Sequence, residues 1–179
     1  LESPAHWATV THAGNSPYVY QEPGIGTRHV GQVNYDYRIS KTEVTAGEWI
    51  QFVNAYKPYV DPAYRLSALY TSFLIRRDPQ ADGTVNYSVA PGADDYAIDV
   101  GFRFAARYCN WLHNGKVNQP WAFESGAYDT STFGDLPNFG FTDQATRSPG
   151  AKFWMPSENE WIKAGYFDPN RYGPNQPGY

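Results

Sequence analysis

Apolar and polar residues alternate over residues 33–39, early in the chain. This period of two predicts a strand with one buried face. The side chains predicted to point inward are those of Val33, Tyr35, Tyr37 and Ile39. Residues 1–32 contain many Gly, Pro and Tyr residues and lack such a period, so we expect an extended arm with turns there.

After Thr45 the period changes to that of a helix. Thr45 is a favourable N-cap and Glu48 follows three positions later, which is the spacing of a capping box. Pro58 cannot continue a helix, so the element is predicted to end before it. The apolar residues on one face of this helix are Trp49, Phe52, Val53 and Tyr56.

A second helix is predicted over residues 102–114. Its apolar stripe consists of Phe102, Ala105, Cys109 and Leu112. Gly115 follows as a suitable end residue, because glycine tolerates a left-handed backbone. Cys109 is the only cysteine, and this pattern points it toward the apolar side.

A third helix is predicted after Ser157. Ser157 and Glu160 have the spacing of a second capping box. Trp161 is predicted to face inward from this helix. The segment just before it predicts a short strand through Phe153 and Met155.

Residues 68–77, ALYTSFLIRR, fit a helix or a strand equally well. A turn at Asp82 and Gly83 is predicted to lead into a strand. Asp94 and Asp95 are interpreted as an acidic pair on a solvated loop. Calcium binding stays an alternative there, although oxygen-ligand sites need more ligands in close sequence.

Composition narrows the classes of partner. Charged residues make up 18% of the chain and the formal net charge is −4, with no basic block, so we expect no nucleic-acid partner. The apolar runs are too short for a membrane span. Aromatic residues reach 17%, and 16 Gly with 14 Pro predict many turns.

Four stretches of the chain carry a family resemblance. They read YRISKTEVTAGEWIQFVNA, AIDVGFRFAARYCNWL, ESGAYD and FWMPSENEWIKAGYF. In this order they resemble motifs of the formylglycine-generating enzyme family, also called the sulfatase-modifying factor domain. The sequence around these motifs is most similar to that of the secreted bacterial branch of the family.

The resemblance implies an α+β, C-type-lectin-like fold with short strands, about three helices and long loops. It places the family domain at residues 33–179, after the arm of residues 1–32. The last core strands of the family follow its third motif. We therefore expect the domain to be incomplete at its C-terminus, and a C-terminal remainder or another subunit to complete the fold.

Catalytic members of the family oxidise a substrate cysteine to formylglycine with copper and O₂, and two cysteines hold the copper. Cys109 matches a helix cysteine of the family and not that pair. The resemblance therefore implies no catalytic residue, no metal ligand and no cofactor in this chain. Copper is expected only if a cysteine pair exists downstream.

Alternative chemistry at Cys109 needs a partner side chain. A copper site would need a second soft ligand, and Met155 is the only thioether. His113 follows four positions later, which suits a thiol–imidazole pair on a helix. We interpret His113 instead as a solvent-facing residue at the helix end, and Cys109 as a buried, inert residue.

The tryptophans divide between core and surface. Trp49, Trp111 and Trp161 lie in motif helices and are predicted to build the core, whereas the capping residues are predicted to fix the helix starts. Trp121 lies in a loop region and is the candidate for contact with a ligand at the surface.

These observations predict a non-catalytic sulfatase-modifying-factor-like domain that acts as a binding or structural module. We expect a bacterial protein, secreted or at the cell surface, whose partner is a protein, a glycan or its own second copy. The alternative is the N-terminal part of a copper-dependent oxidase that acts on a cysteine of sulfatases.

Overall fold

The structure is a computed structural model that describes residues 6–179. Within these residues, six short strands and five α-helices are joined by long loops, so the chain has the predicted α+β character. The elements in chain order are β1 (Trp7–Val10), β2 (Tyr18–Glu22), β3 (Gly26–Val30), β4 (Tyr37–Ser40), α1 (Ala46–Tyr56), α2 (Ala68–Thr71), β5 (Ile75–Pro79), β6 (Val85–Val89), α3 (Phe102–His113), α4 (Pro120–Glu124) and α5 (Glu158–Tyr166).

The chain divides into two compact units. The terminal unit comprises the described residues up to Lys41 together with Pro156–Tyr179, and it contains β1 to β4 and α5. The central unit comprises Thr42–Met155 and contains the other elements. The three helices predicted from sequence are α1, α3 and α5, whereas α2 and α4 are short additions of four and five residues.

The terminal unit forms strands where an arm with turns was expected. β2 and β3 make an antiparallel hairpin with Glu22 opposite Gly26, and β1 pairs antiparallel with β4. The strand predicted from residue 33 begins only at Tyr37, because Tyr37 faces Val10, the last residue of β1. The pairing of β1 with β4 joins segments about 30 residues apart, which a local period does not reveal.

Gly31 is a position in the terminal unit where only glycine fits. Its φ is +82°, and a Cβ atom there would lie 2.4 Å from the hydroxyl oxygen of Tyr179. That hydroxyl donates to the Gly31 carbonyl at 2.5 Å and accepts from Asn15 Nδ2 at 2.7 Å. The missing side chain of Gly31 therefore makes room for the Tyr179 phenol.

In the central unit, the capping box predicted at the start of α1 is present. The Glu48 N–H donates to Thr45 Oγ1 at 3.3 Å, and the Thr45 N–H donates to the Glu48 carboxylate at 3.2 Å. The predicted apolar face of α1 is buried, and the Trp49 indole N–H donates to the Tyr70 carbonyl at 2.9 Å.

The buried face of α3 differs from the predicted stripe. Phe102 is 40% exposed, whereas Cys109 and Leu112 are buried as predicted. The buried residues of α3 are Phe104, Ala106, Tyr108, Cys109, Asn110, Trp111 and Leu112. The face is wider because Tyr108 packs on Trp49 of α1, with ring centroids 5.0 Å apart, while Cys109 packs against the segment that follows α4. A single helical stripe does not anticipate two packing partners.

The remaining predictions in the central unit have mixed outcomes. Residues 68–77 contain both a helix and a strand, α2 followed by β5. The turn at Asp82 and Gly83 joins β5 to β6, as predicted, with Gly83 at φ +80°. No strand forms at Phe153 and Met155 among the described residues, because this segment packs through side chains against the Cys109 cluster instead of pairing its backbone.

Candidate functional site

Cys109 lies in the second half of α3, at the centre of a small apolar cluster. The cluster consists of Ala106, Cys109, Ala127 and Tyr128, and Phe133, Trp154 and Met155 pack against it. Cys109 is 7% exposed, and burial raises the pKa of its thiol to about 12. At neutral pH the group is therefore a thiol, whereas nucleophilic and metal-binding cysteines react as thiolates.

Copper held by a cysteine pair does not fit this set of residues. The chain has one cysteine, and it lies in an apolar surrounding. Met155 packs against the same cluster, and its thioether is the only other sulfur group. Within residues 6–179, no group of three or more His, Cys, Asp or Glu side chains comes together in a way that could hold a metal ion.

His113, at the end of α3, makes a specific contact where a solvent-facing role was expected. Its Nδ1 accepts a hydrogen bond from the Lys152 N–H at 3.1 Å. Gly126 lies beside the ring, where a Cβ atom would approach His113 Cδ2 to 2.9 Å. His113 therefore connects the end of α3 to the backbone at Lys152. Because its Nδ1 is used in this hydrogen bond, it is not directed at the Cys109 thiol.

Asn110 is a buried polar residue that the helical pattern did not reveal. Its side chain is 0% exposed and makes three hydrogen bonds, two as donor and one as acceptor. They join α3 to the Phe123 carbonyl and to both backbone groups of Tyr128. The only hint of this role in the sequence was that Asn110, a polar residue, directly follows the cysteine predicted to be buried.

An arginine network begins in the first half of α3, at Arg103 and Arg107. Arg103 donates to both carboxylate oxygens of Asp143, at 2.8 and 2.9 Å, and to Asp135 at 2.7 Å. The hydrogen bonds that Arg103 donates lower the pKa of Asp143, and by the same hydrogen bonds to Asp143 and Asp135 the pKa of Arg103 is raised. The guanidinium also lies over the rings of Phe133 and Phe141, 5.9 and 5.6 Å from their centroids.

Arg107, one turn later, makes a similar pair with Glu124. Its Nε donates to Glu124 at 3.0 Å, and Thr130 and Tyr56 also donate to that carboxylate. Burial alone would raise the pKa of Glu124, but these hydrogen bonds outweigh it and lower the pKa. Burial is also the main cause that raises the pKa of Tyr56 to about 12. Both arginines are paired within the chain, so the network serves structure and offers no free cation.

Three tryptophans of the central unit have the predicted burial: Trp49 and Trp111 lie in the core and Trp121 at the surface. Trp49 and Trp111 are buried, and Trp111 donates through its indole N–H to Asn118 Oδ1 at 3.0 Å. Trp121 is 56% exposed although its neighbours Ala122 and Phe123 are completely buried. The short helix α4 therefore holds the Trp121 indole outward on a firmly packed base.

In the terminal unit, the prediction that Trp161 faces the core is wrong. Trp161 is 53% exposed, and its ring makes an edge contact with that of Tyr166, which is 58% exposed. α5 instead buries Glu160 and Lys163, each 1% exposed. The buried side of this helix is polar, so a search for its apolar side selects the wrong residues.

Backbone groups and tyrosines satisfy the buried charges of α5. Glu160 completes the predicted capping box with Ser157 and accepts from the Tyr35 hydroxyl at 2.8 Å. Lys163 Nζ donates to the carbonyls of His12 and Val33, at 2.9 and 3.3 Å. Burial lowers the pKa of Lys163. α5 is thereby attached to the segment before β4 by polar contacts.

Comparison with protein families now identifies the class. The sulfatase-modifying factor enzyme 1-like domain, the FGE-sulfatase family, matches residues 8–174, which is nearly the whole chain. The chain belongs to this family. The matched region begins in β1, so the family similarity extends into the segment that was expected to be a separate arm. No curated protein and no solved structure matches the chain significantly.

None of the helices within residues 6–179 is long and apolar enough to cross a membrane. The candidate groups of the central unit are a buried thiol, arginines paired within the chain and the exposed indole of Trp121.

Proposed function

We propose that this chain is a non-catalytic member of the family, with the C-type-lectin-like variant of its fold, and that it acts as a binding module. The observation that carries the proposal is the state of Cys109. It is the only thiol, and its burial in an apolar cluster raises its pKa to about 12. A thiol of this kind supports neither nucleophilic attack nor copper binding.

Trp121 is the proposed contact with the ligand. Its indole is exposed on α4, next to a loop that carries the amide side chains of Asn118 and Gln119. The Trp111 indole N–H donates to the side-chain oxygen of Asn118 and orients it. The Tyr59 hydroxyl donates to the backbone carbonyl of Asn118 at 3.2 Å. An aromatic face beside fixed polar groups suits a glycan or a protein ligand. Such a role fits a secreted or cell-surface bacterial protein, which is the location we propose.

Loss of oxidase activity is tested directly. The purified chain is incubated with copper, O₂ and a cysteine peptide of sulfatase type, and a catalytic family member serves as the positive control. We expect mass spectrometry to find the peptide cysteine unchanged in the sample with this chain. Formylglycine in that peptide would contradict the proposal and favour the copper-dependent oxidase.

Ligand binding is tested on a glycan array with the wild type, Trp121→Ala and Trp161→Ala. The second variant is a matched control, because Trp161 is exposed to a similar degree but lies in the terminal unit. We expect Trp121→Ala to weaken binding about tenfold or more, as for a hot-spot residue, and Trp161→Ala to leave it unchanged. Equal binding by all three proteins would exclude Trp121 as the contact.

A further inference from the structure

We propose that two copies of this chain associate through an apolar face of the central unit. This goes beyond the proposed ligand contact, which uses Trp121. Six residues define the apolar face, with exposed fractions of 56% for Leu66, 54% for Leu69, 78% for Phe73, 40% for Phe102, 97% for Phe139 and 67% for Phe141.

Contacts around the first turn of α3 link the Leu69 side of the apolar face to its Phe141 side. Leu69 lies against Gly101, the residue before α3, and its carbonyl accepts from the Gly101 N–H at 2.8 Å. Phe102 follows in the chain and contacts Phe133, with ring centroids 6.1 Å apart. Arg103 then joins Phe133 to Phe141 by lying over both rings. The exposed side chains of α2 and of the loop around residue 139 thus border the same helix end.

Phe139 lies at the tip of a tight loop. The Leu136 N–H donates to the Gly140 carbonyl at 2.8 Å, and the Thr142 N–H donates to the Gly134 carbonyl at 3.0 Å. Asn138 and Phe139 at the tip both have positive φ, 70° and 62°. A bulky residue is unfavourable in this backbone region, where Gly or Asn is usual. The loop nevertheless adopts this backbone conformation, and the Phe139 side chain in it is almost fully exposed.

The area of the apolar face suits a protein interface. At about 200 Å² for a fully exposed ring, its four phenylalanines present roughly 550 Å², and the two half-exposed leucines add to this. Soluble monomers rarely leave more than a few hundred Å² of contiguous apolar surface open, whereas a stable interface of standard size takes about 800 Å² from each partner.

The charges of the apolar face favour a second copy over other partners. Arg103 forms ion pairs with Asp143 and Asp135, so its charge is already compensated and does not favour binding of a phosphate or an anionic lipid. Polar groups of the loop are also engaged, since the Thr142 hydroxyl donates to the Thr132 carbonyl at 2.6 Å. A nearly neutral apolar surface is complementary to its own copy, and an isologous dimer pairs this patch with itself.

The association state in solution tests the proposal. Standard-size interfaces have a Kd from about micromolar to picomolar, so sedimentation velocity at about 100 μM covers the weak end of that range. We expect the wild type to sediment as a dimer of the 20.2 kDa chain. Phe139→Ser and Phe73→Ser should each raise the dimer Kd about tenfold or more, because each change removes two apolar anchors from a two-fold interface.

Ile25→Ser is the matched control. Ile25 is 67% exposed but lies in the β2–β3 turn of the terminal unit, so this variant should remain a dimer. Circular dichroism checks that each variant is folded, and Leu69→Ser replaces any variant that is not. A wild type that is monomeric at this concentration overturns the proposal, as does dimerisation unchanged by substitutions in the apolar face. Binding of a monomeric wild type to phosphatidylcholine vesicles would also overturn it and assign the face to lipid.

Discussion

The stability of the central unit should depend strongly on Asn110. This side chain is completely buried on α3. Its Nδ2 donates to the carbonyls of Phe123 and Tyr128, both at 2.9 Å, and its Oδ1 accepts the Tyr128 N–H at 2.7 Å. One amide therefore holds α3, the end of α4 and the following loop together.

The substitution Asn110→Ala removes all three hydrogen bonds at once. It leaves one N–H and two carbonyl groups, and Tyr128 is only 1% exposed, so water does not readily replace the lost partner. A buried group left without a partner costs about 1–3 kcal/mol. Because the carbonyls have second lone pairs and can relax, we expect a total loss of about 3 kcal/mol in the free energy of unfolding.

Urea unfolding followed by tryptophan fluorescence measures this loss. Asn86→Ala is the control, because Asn86 is exposed on β6 and its side chain accepts a long hydrogen bond, 3.4 Å, from Lys57 Nζ. The control should change the free energy of unfolding by less than about 0.5 kcal/mol. A loss below about 1 kcal/mol for Asn110→Ala, with an unchanged m-value, would refute the reasoning.

Two further predictions concern titratable groups of the central unit. The Cys109 thiol should react with a thiol reagent only slowly at neutral pH without denaturant, because it is buried and its pKa is raised to about 12; rapid and complete labelling of the folded protein would disprove this. The hydrogen bonds from Arg103 lower the pKa of Asp143 below the ordinary aspartate value of about 3.9. The pair should therefore stabilise the fold fully at pH values above about 3.9. This stabilisation should be lost as the pH falls through the lowered pKa of Asp143. Asp143→Asn should therefore lower stability at neutral pH and flatten the acid limb of a stability–pH curve, and an unchanged acid limb would count against the pair.

Local signals in the sequence predicted the features that depend on near neighbours. Both capping boxes span three residues, and each helix begins where its cap predicts. α3 also has nearly the predicted extent, because helix formation and the glycine at its end are decided within a few turns. Burial of Cys109 followed from its place in that helix.

Long-range packing decided the features that sequence did not reveal. Arg103 meets Asp143 across 40 residues, and Asn110 meets Tyr128 across 18, so neither pair has a local spacing to identify it. Trp161 shows the same limit in the terminal unit. Its helix turns Glu160 and Lys163 inward because the Tyr35 hydroxyl and the His12 and Val33 carbonyls, more than 120 residues earlier, supply their hydrogen bonds.

The sequence by itself thus determined where the main helices start, the family to which the chain belongs and the burial of its only thiol. The tertiary structure alone decided which charges are buried, which helix faces are covered and which aromatic rings remain exposed. The physical reason is that a cap or a helical period is an interaction between neighbours, whereas burial of Lys163 or exposure of Phe139 depends on groups that only the folded chain brings near them or keeps away.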